Sequence, residues 1–496
     1  MPKKLPIFYS ALMLTGVNLL LRLVGTLFQV FISGRLGATG VGLLQLVMSV
    51  GSLAMTAGMA GIRTSTMYLT AEELGKGNPG NVTWVLRGCL LYSLICSGTL
   101  ALGMYLTAPL IAKHWIGNME TLDALRLFAI FLPVVCMCGC MTGYFTAANR
   151  IGTLAAVEIC EQLASMSVTM AALTLWAGTD PGRACQSVIL GSSLGACLTL
   201  ICLLILRWMH RPKSADRILL AGRLMNMAAP LALADDLKAG INTAENLMVP
   251  KRLALYPGTD APLAAFGTVC GMVFPVLMFP AAILFALAEL LIPELARCAA
   301  AGCPQRIQYL TRQSLRIALL YGCLCGGVLF LLSGELCDWL YESQEAGAHL
   351  ALYAILAPML YCDAITDAMT KGLGQQKTAV RYNILTAVLD LAGLFMLLPR
   401  YGMTGYFISF FISHLVNFIL SLNLLMRTAN IRLSFSTASL TLSAALAAGL
   451  GANFVYHPGL RMIAFLGLFS SLLTLFGVVS TEDLHWLRGL ISRKGI

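Results

Sequence analysis

Fourteen apolar runs separated by short polar turns fill nearly the whole chain. Each approaches the ~20 residues that a helix needs to cross the hydrocarbon core of a bilayer. Six lie near residues 7–33, 41–70, 84–109, 123–147, 152–176 and 187–207. Six more lie near 224–249, 262–291, 314–334, 349–370, 379–398 and 403–426, with a last pair near 433–455 and 459–480. Helices are expected because hydrocarbon offers no partner for the edge groups of an open sheet. A water-facing fold fails on composition: 58% of the 496 residues are hydrophobic and 11% charged, against roughly 25% charged in soluble domains. The expected fold is an all-α polytopic membrane protein with about 14 transmembrane helices.

Outside the runs, Lys and Arg fall roughly three to one on the side shared by both termini and the loop RWMHRPKSADR at residues 207–217. This bias predicts a multi-pass protein of the cell membrane with both termini cytoplasmic. The start, MPKKLPIFYSALMLTGVNLLLRLVG, reads as a retained first helix, because Arg22 interrupts it and the run continues beyond the length of a signal peptide. The net charge of +10 is dispersed among the turns, which argues against a nucleic-acid partner. The basic tail TEDLHWLRGLISRKGI suits anionic membrane lipids. Most of the 16 cysteines lie inside apolar runs, and Cys136, Cys138 and Cys140 do not have zinc-pair spacing. They read as packing residues, and neither a metal nor another cofactor is expected.

The chain also repeats itself. YLTAEELGKGNPG follows the second run and LLIPELARCAAAG the eighth; GYFTAANRIG follows the fourth and AMTKGLGQQKTA the tenth. Both pairs are offset by roughly 220 to 225 residues, the length of one six-helix block. The simplest partition is a bundle at 1–220, a second at 221–430, and two additional helices with a tail at 431–496. Six is even, so the bundles enter the membrane in the same orientation, as parallel repeats able to enclose a cavity and rock about it. A monomer is the expected functional unit.

Charges inside the runs are costly, at roughly 2.5 to 3.5 kcal/mol each at mid-bilayer, and need partners, water or a function. Asn18, Arg22, Gly25 and Gln29 share one face of the first helix, and Thr56, Arg63 and Thr66 one face of the second. Either these arginines pair with acids to hold the bundle, or they line a cavity and contact an anion. The seventh helix is the most polar: Asp235, Lys238, Asn242 and Glu245 follow spacings of three, four and three, with Asp236 and Asn246 beside them. It reads as a cavity wall or as an internal structural network. Glu158 with Glu161, and Asp363 with Asp367, form further pairs on single faces, suited to holding a proton or clasping an arginine. Candidates for ion or proton coupling are Asp235, Glu245, Asp363 and Asp367.

With these features the chain resembles the multidrug/oligosaccharidyl-lipid/polysaccharide (MOP) exporter superfamily, and within it the stage V sporulation protein B (SpoVB) group related to the lipid II flippase MurJ. The resemblance is carried by NLLLRLVGTLFQVFISGRLGATGVGLLQL at residues 18–46, LIPELA at 291–296 and GLGQ at 372–375. It implies that Arg22 and Arg63 line a central portal and meet the substrate's diphosphate, which a guanidinium can grip with two parallel hydrogen bonds. It departs in the eighth helix, FGTVCGMVFPVLMFPAAILFALAELL, which has no Arg. Lys238 is the candidate replacement, and another undecaprenyl-diphosphate-linked glycan is an alternative to lipid II.

The resemblance thus implies a flippase or exporter of a lipid-linked glycan, such as a peptidoglycan precursor, with a role in sporulation. The cavity would be lined by Asn18, Arg22, Gln29, Arg63, Lys238 and Asn242, and the cycle driven by H+ or Na+ coupling or by the membrane potential. No Walker A pattern is present, so ATP hydrolysis within this chain is not expected. Two alternatives remain. A cation-coupled multidrug antiporter would suit the acids of the seventh helix. A membrane-embedded glycan transferase is disfavoured by short loops and by the ~100° between the adjacent Asp235 and Asp236, so an enzyme is not expected.

Overall fold

Hydrocarbon forces each buried segment to satisfy its own backbone, and every regular element among the described residues is helical. The computed structural model describes residues 7–59, 61–75, 80–148, 150–178, 180–209, 221–431 and 435–478. The chain forms α1 (Ile7–Met59), α2 (Ile62–Gly75), α3 (Asn81–Leu110), α4 (Leu122–Ala147), α5 (Ile151–Ala172), α6 (Pro181–Met209), α7 (Ala221–Leu253) and α8 (Pro262–Gly267). It continues through α9 (Phe274–Met278), α10 (Ala282–Ala300), α11 (Pro304–Leu331), α12 (Ser333–Tyr341), α13 (Gln344–Ala354) and α14 (Ala357–Gly372). The 54-residue α15 (Gln376–Ala429), α16 (Phe435–Ala452) and α17 (Pro458–Leu475) complete it.

Among the described residues seven helical stretches are long and apolar enough to cross a membrane, or nine if each of two bent pairs is one span. Two of the seven, Leu23–Leu74 and Gln376–Ala429, have 52 and 54 residues, over twice what a single crossing takes. Each is broken by a glycine at positive φ: Gly37 (φ 66°, ψ 174°) and Gly402 (φ 58°, ψ −138°). α7, at 33 residues, is long enough to span but is too polar to count among them. The chain is a multi-pass membrane protein.

Two compact units form, one of Met1–Gly271 with Ala387–Tyr406, the other of Met272–Thr386 with Phe407–Ile496. In the first, α2 to α6 bury a common core that includes Ile62, Val85, Met141, Phe145 and Leu203. Small residues let α1 and α8 touch backbone to backbone: a Cβ on Gly267 would overlap Ala38 and Gly42. In the second unit the helical ladder breaks around Pro280, and tyrosines satisfy the freed carbonyls. Tyr361 donates to Leu277 O at 2.7 Å and Tyr321 to Pro280 O at 2.9 Å. α16 and α17 pack on α11 through Ala444, Ala448, Phe465 and Phe469. Arg461 ties α17 to the end of α11, donating to Leu331 O and to Glu335, both at 3.0 Å.

Helix ends recur along the chain. A left-handed cap at Gly117 (φ 83°, ψ 14°) is followed by Asn118, whose side chain caps the next turn. Glu342 (φ 54°, ψ 37°) and Ser343 do the same 225 residues later. At the end of α4, Ala148 N donates to Tyr144 O and Arg150 N to Phe145 O; at the end of α14, Leu373 N donates to Met369 O and Gln375 N to Thr370 O. Gly178 (φ 55°, ψ −126°) has the conformation of Gly402, 224 positions on.

These caps separate backbone strain from packing. A Cβ on Gly178 would meet open space, so Gly178→Ala should cost stability through conformation alone, about 1–3 kcal/mol. Glu342→Gly, which relieves a left-handed non-glycine residue, should gain up to about 1 kcal/mol. Thermal unfolding of the purified variants in detergent should show opposite shifts.

Candidate functional site

The polar stripe of α7 has two environments. Asp235, Lys238 and Asn242 are exposed, and Asp236 is half-buried. One residue beyond Asn242 the helix becomes sealed: Thr243, 3% exposed, donates to Ser49 O at 3.0 Å, and Asn246 donates to Ser49 Oγ at 2.9 Å. Three polar side chains exposed on a span-length helix would be costly against lipid and call for water or a polar partner, although Leu233 and Leu237 are exposed beside them. Glu245 lies in the sealed stretch within electrostatic reach of Asp390, and its Oε1 is buried without a hydrogen-bond partner. Asp236 Oδ1 is likewise buried and unpartnered, and Tyr92 of α3 is close enough to feel its charge.

Around α1 and α2 the sequence-predicted residues are distributed as follows. Asn18 and Arg22 fall on α1, but their side chains lie outside the described residues. Gln29 is half-buried on α1, and its Nε2 has no hydrogen-bond partner. Arg63 is exposed near the start of α2 and lies within electrostatic reach of Glu158 on α5. Glu161 accepts a hydrogen bond from Thr199 of α6 at 2.7 Å, and Gln162 donates to Leu21 O of α1 at 3.2 Å. α5 thus presents one acid toward Arg63 and uses the next polar turn to hold its neighbours in place.

Asp363 and Asp367 share a face of α14 yet differ in partners, and both lie in the second unit. Asn417 donates to both carboxylate oxygens of Asp363, at 3.1 and 3.4 Å, while Thr386 donates to Asn417 Oδ1 at 3.4 Å. Asp367 pairs with Lys371 one turn on, at 2.6 Å, where both are partly exposed. The Asp363 cluster is a half-buried carboxylate with an amide and a hydroxyl around it, a donor set that can hold a proton or a hard cation. Asp367 makes a surface-type ion pair.

Sequence reasoning passed over Ser49, Gln162, Thr199, Thr386 and Asn417. Asn417 had a signal, as an amide inside the apolar stretch HLVNFIL. The others are Ser, Thr or Gln in helices, where back-bonding to the preceding turn is the ordinary fate, as for Ser49 with Gln45 O at 2.7 Å.

Residues 8–236 match the polysaccharide biosynthesis protein family. The chain is 22% identical over 405 residues to Stage V sporulation protein B of Bacillus subtilis (strain 168), covering 79% of this chain and 77% of the relative. Its fold superposes on lipid II flippase MurJ in an inward closed conformation, with a TM-score of 0.71, 13% identity, and coverage of 95% of this chain and 99% of MurJ. It also superposes on an inward-facing multidrug resistance MATE family transporter of the MOP superfamily, with a TM-score of 0.67, 14% identity, and coverage of 84% and 98%. Residues 8–236 are thus similar to the polysaccharide biosynthesis protein family, the chain is similar to Stage V sporulation protein B, and its all-helical fold is that of MurJ and of the MATE transporter.

Proposed function

We propose that this chain is an alternating-access carrier, not an enzyme, that moves a polyprenyl-diphosphate-linked glycan across the cell membrane, with a lipid II-type peptidoglycan precursor as the preferred substrate. The observation that carries the reading is the divided stripe of α7, exposed at Asp235, Lys238 and Asn242 and closed against α1 at Thr243 and Asn246. A polar cavity wall that is open at one end and sealed at the other is what a carrier needs to present a site to one side of the membrane at a time. With both termini cytoplasmic, the open end faces the cytoplasm, where the precursor would enter. Arg63 and Arg22, joined by Lys238, supply the cations for the diphosphate; Gln29 and Asn242 supply neutral donors for the glycan. The polyprenyl tail stays in lipid throughout.

Blocks 1–220 and 221–430 are proposed to rock against each other, a reading supported by the helix caps that recur 225 residues apart. Reset would come from H+ or Na+ at Asp363 with Asn417 and Thr386, with Asp235 and Glu245 as further sites, or from the membrane potential, which acts on a moving charge at about 2.3 kcal/mol per 100 mV. A cation-coupled multidrug antiporter is the second reading, favoured by the proximity of Glu245 to Asp390 and by the further acids Asp235 and Asp236 earlier on α7.

Reconstitution in liposomes with fluorescent lipid II, other undecaprenyl-diphosphate glycans and cationic drugs separates these readings. Arg22→Ala and Arg63→Ala should each slow diphosphate-lipid movement about tenfold or more while leaving the fold intact. Unchanged flipping would reject those roles, and movement of cationic drugs alone would select the antiporter. Joining S49C to N246C with a short bifunctional thiol reagent should halt transport, with the same reagent harmless to the unsubstituted protein. Asp363→Asn should abolish any dependence of transport on an imposed H+ or Na+ gradient, read as equal rates with and without the gradient.

A further inference from the structure

α3 and α6 both pack on α4 and leave a cleft between them at the ends marked by Asn81 and Met209. The cleft holds a cavity of about 400 Å³. Its walls are apolar, formed by Leu86 and Leu90 of α3 and by Leu204 and Ile205 of α6. Two guanidinium groups stand at it. Arg207, 6% exposed, donates to Thr83 Oγ1 at 3.0 Å and lies 4.8 Å from the ring centroid of Tyr144, so its position is fixed. Arg87 is exposed, 5.2 Å from the Trp84 ring centroid. Trp208, 68% exposed, closes the rim.

The outer surface of the cleft is apolar and exposed, as a lipid-facing surface would be. Ile201 and Ile205 of α6 are 55% and 52% exposed, and Leu91 and Ile95 of α3 are 59% and 57% exposed, so the apolar surface continues along both helices away from the arginines. Both arginines and Trp208 lie at the helix ends, at the depth where Trp and basic residues meet headgroups. None of these residues belongs to the carrier site proposed above.

We infer that this cleft is a binding site for an anionic glycerophospholipid: the exposed Arg87 receives the phosphate, Arg207 is held in the wall by Thr83 and Tyr144, Trp208 packs at the glycerol level, and the start of an acyl chain lies between the leucine-lined walls. The volume suits a headgroup with its first methylenes. Charge selects the lipid class, because the exposed Arg87 guanidinium, with no acidic side chain among the described residues lining the cleft, favours a headgroup with net negative charge over a zwitterionic one. A free phosphate ion would leave the apolar walls unfilled. On the orientation proposed above the lipid belongs to the cytoplasmic leaflet, but the site stands on its own geometry.

The full-length protein, purified in detergent and titrated with phosphatidylglycerol or phosphatidylcholine, can be read by native mass spectrometry. The wild type should retain phosphatidylglycerol about fivefold or more over phosphatidylcholine. Arg87→Gln should bring the two near parity and Arg87→Lys should keep most of the preference, with melting temperatures unchanged because the side chain is exposed. Leu90→Trp, which fills the cleft, should lower retention of both lipids. Equal retention of the two lipids by the wild type, an unchanged preference in Arg87→Gln, or displacement of the lipid by excess inorganic phosphate would overturn the proposal.

Discussion

Hydrocarbon solvates no charge, and this constraint organises the polar groups of the structure. Each ionisable side chain in a span must meet water, a counter-charge or a hydrogen-bond partner. Asp363 meets an amide, Asp367 a lysine and Glu161 a hydroxyl. On α7 the first part of the stripe is exposed at Asp235, Lys238 and Asn242, which is where water would have to meet it. The same constraint acts on the backbone: where Pro280 interrupts the ladder, Tyr361 and Tyr321 reach in from other helices to supply the missing donors.

A hydrated path is useful to a carrier only if its closed end can reopen. The closure at Ser49 rests on two hydrogen bonds, each worth about 1 kcal/mol net. Such a contact is strong enough to exclude water and weak enough for ligand or ion binding to reverse. Placing the substrate cations on α1, α2 and α7 would couple diphosphate binding to the helices that make this closure.

The span pattern was legible because hydropathy and length alone decide what crosses a bilayer. The α7 stripe was legible because helical spacing places Asp235, Lys238 and Asn242 on one face. The division of that stripe was not, since Asn242 and Thr243 are neighbours of similar polarity and only the approach of Ser49 separates them. The partner of Asp363 lies 54 residues away, and no periodicity within α14 encodes the rotation that aims it at Asn417. Pro280 and Pro358 stand at the break before α10 and at the start of α14, whose axis is bent 58° from α13, where a proline removes a helical donor. α15, in contrast, hides its turn inside an apparently continuous helix, because Gly402 reverses φ without removing the hydrogen bonds on either side.

The recurring caps at the ends of α4 and α14 use no residue in common: Tyr144, Phe145, Ala148 and Arg150 stand where Met369, Thr370, Leu373 and Gln375 stand 225 positions later, yet the same main-chain atoms bond. Geometry written in the main chain leaves side chains free to diverge. Arg63 illustrates the freedom, because the position 225 residues on is Ala288, buried and neutral. Helix ends alike in backbone therefore carry unlike side chains: at the matching offset an anion would find an exposed arginine on α2 and a buried alanine on α10.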